Sequence, residues 1–190
     1  MRIWRHEILG SSRKWLVDKL LLRMESPWVT IVLERVMDQS QQSLDYWRIE
    51  KADSLIIVPV HLGRILLPPA QYRHGLGRST EDLPGGRLES CISSQEAAVS
   101  ILEKEMGCRR ADVEALEPLS GSGWAVNSSF SNQLLHVYRA LLAPQTPRPP
   151  LAQERDYAHD EQGVGELFRH LTCLQCRAAV LESLRHPLES

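Results

Sequence analysis

The sequence predicts an α/β protein in which an N-terminal β hairpin precedes a domain of strands and helices. Residues 28–37, WVTIVLERVM, and 44–50, LDYWRIE, are rich in β-branched and aromatic side chains and flank the polar turn DQSQQS, which is the pattern of a hairpin. Residues 54–60, SLIIVPV, form a nearly continuous apolar run suited to a strand buried on both faces. Residues 94–106 contain no breaker. Ser93 or Ser94 can cap this segment, and Gly107 stands where a left-handed residue commonly ends a helix.

Taken in order, residues 1–26 are mixed, and WLVDKLLLRM at 15–24 fits a short helix or a strand equally, because periodicity does not separate the two. The hairpin and the buried strand follow. His61-Leu-Gly-Arg64 then turns the chain into ILLPPAQYR. Pro84-Gly85-Gly86 breaks regular structure before the helix, since proline lacks a donor and paired glycines admit unusual backbone angles. Downstream, LLHVYRALL at 134–142 reads as a strand, PQTPRPP at 144–150 as a surface loop, and 170–188 as helical.

The chain has 190 residues, 24% charged and 43% hydrophobic, with a net charge of −2. That length suits one domain with a sizeable core, or one domain and a small appendage. The charge gives no pull toward nucleic acid or an anionic membrane, so neither is expected as a partner. The first residues carry frequent charges and no long apolar run, which leaves a cytoplasmic location as the expectation. Of four cysteines, only Cys173 and Cys176 have metal or redox spacing, without a second matching pair. His170, one turn earlier, would add a zinc ligand; the simpler reading is two buried thiols on a C-terminal helix.

Residues 82–108, DLPGGRLESCISSQEAAVSILEKEMGC, resemble the signature box of the Nudix hydrolases. Anchoring the box's first glycine on Gly86 places its last on Gly107 without a gap. The carboxylates fit less well. Where the family has its loop glutamate this chain has Ile92, where it has Arg-Glu it has Ser100-Ile101, and where it has Glu-Glu it has Lys104-Glu105. Positions 101 and 105 share a helix face, and a divalent cation bridging a pyrophosphate needs several carboxylates from one side. Only Glu105 remains there, beside the ammonium of Lys104. Glu103 and Glu96 point away from it. The alternative is an amphipathic core helix with Ala97, Ala98, Ile101, Leu102 and Met106 inward.

Over residues 27–140 the element order resembles the ADP-ribose pyrophosphatase branch of that superfamily. The most specific matches are Gln71-Tyr72-Arg73 and Asp82-Leu-Pro-Gly-Gly86, with Ser129-Phe-Ser-Asn132 similar to the branch's Pro-Gly-x-Ser loop, although the Pro-Gly is missing. The resemblance implies a Nudix fold, a mixed β-sheet sandwiched between helices with an N-terminal β-hairpin extension. Residues 1–50 would form a dimerisation segment and 51–190 the Nudix-like domain. It implies a homodimer in which Trp28 and Trp47 sandwich an adenine across the interface. Arg73 would lie near the ligand's phosphates or terminal ribose, and Gly85 and Gly86 complete the implied nucleotide site. Each has a plain alternative: the tryptophans as core or interface anchors, Arg73 as a structural ion pair.

No catalytic set is intact, and Glu105 is the residual catalytic candidate. Glu105, Glu89 and Asp82 are the candidate metal ligands, with Mg2+ the expected cofactor if the chain is active and none otherwise. Glu161 lies roughly where some members of the branch draw a catalytic carboxylate from a loop. Three functions stay open: a catalytically impaired, regulatory binder of an ADP-ribose-like nucleotide; an active hydrolase of a nucleoside diphosphate sugar with an unusual metal site; and an interaction module that binds no nucleotide.

Overall fold

The computed structural model describes residues 14–89 and 91–186. Residues 1–13 of the expected N-terminal segment, Ser90, and the last two residues of the expected helical tail at 170–188 lie outside the described residues. The chain divides into two compact units, one comprising the residues up to Lys51 together with Asn127–Asn132, the other Ala52–Val126 with Gln133–Ser190.

The first unit is an antiparallel sheet of β1 (Leu16–Glu25), β2 (Thr30–Met37) and β3 (Ser43–Glu50). The segment that periodicity left open is therefore a strand. One edge of its backbone pairs with β2, against which it runs from Leu16 opposite Met37 to Glu25 opposite Thr30, with two irregularities in register. The expected hairpin is β2 and β3, in unbroken register from Thr30 opposite Glu50 to Met37 opposite Ser43. Its turn is held by Asp38, whose Oδ1 accepts from the amides of Ser40 and Gln42 at 2.7 and 2.9 Å. Cross-strand pairs reinforce it: Arg48 grips both oxygens of Glu34, and Arg35 those of Asp45. The loop at 127–132 belongs to this unit because the Ile49 amide donates to the Phe130 carbonyl and that of Lys51 to Asn132 Oδ1.

The second unit contains β4 (Ser54–His61), β5 (Arg64–Ile65), β6 (Gln71–Arg73), β7 (Arg78–Thr80), β8 (Gly85–Arg87), α1 (Ser94–Met106), β9 (Val113–Pro118), β10 (Trp124–Ala125), β11 (Leu134–Leu142), β12 (Tyr157–Ala158), α2 (Glu161–Leu167) and α3 (Leu174–Arg185). β4 lies parallel to β11 and antiparallel to β5 and β8, while β11 is antiparallel to β9 and β10. The sheet is thus mixed, and β6 and β7 form a separate small hairpin.

Alternation along the apolar run of β4 builds two cores. Leu55 and Ile57 pack with Ala97, Ala98, Leu102 and Met106 of α1. Ile56, Val58 and Val60 point the other way, toward Val164 and Leu167 of α2 and Cys176, Ala179 and Val180 of α3. This is why SLIIVPV reads as apolar throughout: a strand covered on both faces has no side to leave polar.

α1 begins at Ser93, whose hydroxyl accepts from the Glu96 amide while the Glu96 carboxylate takes the Ser93 amide, a reciprocal cap that satisfies two otherwise orphaned donors. It ends at Gly107, with φ +70°. An added Cβ there would lie 2.8 Å from Pro150 Cγ, so backbone angle and close approach both require glycine. One expectation changes in the segment HDEQGVGELF: it is helical, with Glu161 the exposed first residue of α2 and Asp160 its cap.

Candidate functional site

In the second unit, the glycine turn meets the last turn of α1. The Gly85 amide donates to Glu105 Oε2 at 3.3 Å, and an added Cβ at Gly85 would fall 2.7 Å from the Leu55 carbonyl oxygen. Gly85 therefore lies flush against β4 while offering its donor to the helix. Next to it, the place a Cβ would occupy on Gly86 is 3.2 Å from Ile101 Cδ1. Ile101 is half-buried and packs on the α1 core. One turn before Glu105, on the face where a second carboxylate would meet a cation, the structure has a methyl group against a glycine.

Burial pushes the Glu105 carboxyl above its ordinary value, with the Gly85 amide and the charges of Arg73 and Lys104 acting in opposition. Arg73, at the end of β6, is bound to the carboxylate of Asp82, Nε to Oδ2 at 2.9 Å. Thr80 Oγ1 donates to the same oxygen at 2.8 Å. Arg73 thus makes an ion pair and also places a positive charge near Glu105.

Magnesium does not fit this residue set. The expected ligands Glu105, Glu89 and Asp82 are not a convergent trio; among the described residues, the group whose donor atoms all lie within 4.8 Å of one another is Asp82, Cys173 and Cys176. Glu89 is exposed, and its carboxylate is 3.8 Å from Cys91 Sγ. Asp82 is turned to Arg73 and Thr80, and Glu105 to a backbone amide. A hard cation requires several oxygens at one point, and here the nearby charges are cationic.

Glu96 and Glu103 lie elsewhere, as their helical phase dictates. They line a groove of about 620 Å³ with Ser93, Ser100, Arg110 and Leu116, and Glu96 is held by the Ser93 cap. In the first unit, Trp28 is 73% exposed in the turn after β1, and Trp47 is 48% exposed on β3. Trp47 stands opposite Leu33, three residues along β2 from Thr30, roughly 10 Å of strand. Neither is a core residue. Trp15, by contrast, packs edge-on to Tyr46 at 5.7 Å between ring centroids.

The cysteine reading is corrected in part. Cys176 is buried on α3, but Cys173 is the half-buried cap before that helix. His170 is not among the donors gathered with them; its Nε2 lies 3.2 Å from Arg155 Nη1. Asp82 is the partner that sequence reading missed. Ninety-one residues separate it from Cys173, and no periodic signal links a loop carboxylate to a distant helix cap.

A mixed sheet with a parallel central pair, helices on both faces and an antiparallel N-terminal sheet is the α/β architecture that the sequence resemblance implies. A solved structure shares it: the crystal structure of an ADP compounds hydrolase aligns with a TM-score of 0.75, over 93% of this chain and 96% of that one, at 16% identity. No family model and no curated protein matches the sequence.

Proposed function

We propose that this chain is a catalytically impaired Nudix-fold protein that binds a nucleoside diphosphate of the ADP-ribose kind and acts through the bound state. The observation that carries the reading is the pair Ile101 and Glu105. A half-buried isoleucine fills the place from which a second carboxylate would join Glu105, and the remaining carboxylate is occupied by the Gly85 amide. A pyrophosphate held there without a multiply charged cation keeps its negative charge, so the barrier to its cleavage stays high. Binding has different requirements. Arg73 supplies a fixed positive fork, the glycine turn lets a ligand approach the backbone, and the relative with the same fold is by name a hydrolase of ADP compounds.

Trp28 and Trp47 are the proposed base-stacking side chains. Indoles left open to solvent offer the flat faces on which bases stack. The same unit supports a homodimer: Leu16, Val17, Leu20 and Met24 on β1 are each more than half exposed, and among the described residues β1 is an edge strand. A long apolar edge of this kind is ordinarily covered. Dimers are expected by light scattering at micromolar concentration, and a monomer there would remove the dimer from the proposal.

Titration calorimetry with ADP-ribose, with and without magnesium, tests the binding reading. Affinity is expected in both conditions, and Trp47→Ala should weaken it by about 1–3 kcal/mol while the chain stays folded. No measurable affinity in the parent would return the chain to the class of interaction modules.

A further inference from the structure

We propose that Asp82, Cys173 and Cys176 form a site for a thiophilic divalent cation of the zinc class, with a fourth position open to water. This goes beyond the nucleotide reading and does not rest on it. The three donor atoms already lie within 4.8 Å of one another, so small side-chain shifts suffice to gather them around one ion. Two sulfurs and one carboxylate oxygen are a donor set that selects zinc over magnesium or calcium, because thiolate ligands favour borderline and soft metals. The spacing is also suitable. Cys173 caps α3 and Cys176 lies in its first turn, which brings two residues of a Cys-x-x-Cys to one side of the helix end.

The surroundings resemble a metal's outer shell more than a pair of idle thiols. Arg73 Nε and Thr80 Oγ1 both donate to Oδ2 of the Asp82 carboxylate, and neither engages Oδ1. Such bonds orient a ligating carboxylate and are a regular part of metal sites. Cys173 stands at the N-terminus of α3, the positive end of the helix dipole, where a thiolate is favoured. Charge also balances. Two thiolates, a carboxylate and a divalent ion leave one negative charge, and the Arg73 guanidinium lies against it. Cys176 is 2% exposed while Asp82 and Cys173 are half-buried, giving an anchored site with one open side. A bound ion would tie the segment carrying Asp82 and Leu83 to the N-terminus of α3.

The test uses the full chain expressed in zinc-supplemented medium and purified without chelator. Stoichiometric zinc by plasma mass spectrometry is expected, and the reduced apo-chain should take up Co2+ with thiolate-to-cobalt charge-transfer and tetrahedral d–d bands. Thr80→Val, which removes only an outer-shell bond, should weaken metal affinity by about 10–100-fold in a chelator competition. Cys173→Ser, at the half-buried cap, should abolish the charge-transfer band, and it serves where Cys176→Ser fails to fold. Absence of both zinc and the cobalt spectrum overturns the site, as does a spectrum unchanged in Cys173→Ser. A Cys173–Cys176 disulfide in the purified chain that takes up no metal once reduced would assign the pair to thiol redox chemistry and overturn the metal reading.

Discussion

Replacing Ile101 with glutamate puts a number on the claim that this side chain stands where a metal carboxylate would be. Ile101 is partly buried against α1's core and the Gly86 backbone, so its removal forfeits about 1–2 kcal/mol of the ~1.5–3 kcal/mol that full burial provides. The introduced carboxylate also meets Glu105 one turn on. At the roughly 5–6 Å between side chains four apart, two negative charges repel by about 1–3 kcal/mol, depending on how much water screens them. The sum, about 2–5 kcal/mol, should lower the melting temperature by roughly 5–15 °C for a chain of this size. Magnesium reverses part of it, because a cation between two carboxylates turns repulsion into ligation. At ten times its dissociation constant it restores about 1.4 kcal/mol, or roughly 3–5 °C. Differential scanning fluorimetry of Ile101→Glu and the parent, in magnesium chloride and in sodium chloride of matched ionic strength, reads both effects. A variant as indifferent to magnesium as the parent would show that the two positions do not converge. A parent that shifts as much as the variant would show that Glu105 suffices alone.

Glu105→Gln tests the electrostatics through pH. Burial raises the folded-state value of this carboxyl above the ordinary 4.5, so its ionised form is disfavoured by folding. The penalty is absent below the unfolded value, grows as pH rises through the raised folded value, and is constant above it. The variant should therefore melt higher than the parent at neutral pH, with the gap closing as the pH falls to about 4; a gap that is constant or inverted would contradict the sign. Gly107→Ala should destabilise by at least ~1–2 kcal/mol from the left-handed backbone, with the Pro150 contact added, and a melting point within a degree of the parent's would refute the cap. Gly163→Ala should be more severe, because its Cβ would lie 2.3 Å from the Ala158 carbonyl oxygen; soluble, fully folded protein by circular dichroism would contradict this packing.

Much of the fold was legible because local patterns and tertiary contacts agree. The hairpin, the doubly buried β4 and the capped α1 each carry their own signal in period, breakers and cap residues. Periodicity does not decide β1, because LVDKLLLRME, exposed along nearly its whole length, shows neither the alternation of a half-buried strand nor a helical stripe. The helix at Glu161 was hidden by its two glycines, of which Gly163 is demanded by contact with Ala158 and not by any turn. The site divides the same way. The helical phase of Ile101, Glu105, Glu96 and Glu103 follows from spacing within one element and needs no fold. The pairing of Arg73 with Asp82 joins the end of β6 to the chain just after β7, and the gathering of Asp82 with Cys173 and Cys176 depends on where α3 docks. No spacing in the sequence encodes either meeting.

The most direct test of the central claim is release of AMP from ADP-ribose by the unmodified chain in magnesium, measured beside Glu105→Gln. With Ile101 against Gly86 and the lone carboxylate engaged by a backbone amide, the account predicts no AMP above the level seen with the control. Robust turnover in the parent that disappears in Glu105→Gln would contradict it, showing that Glu105 assembles a working metal site from other ligands.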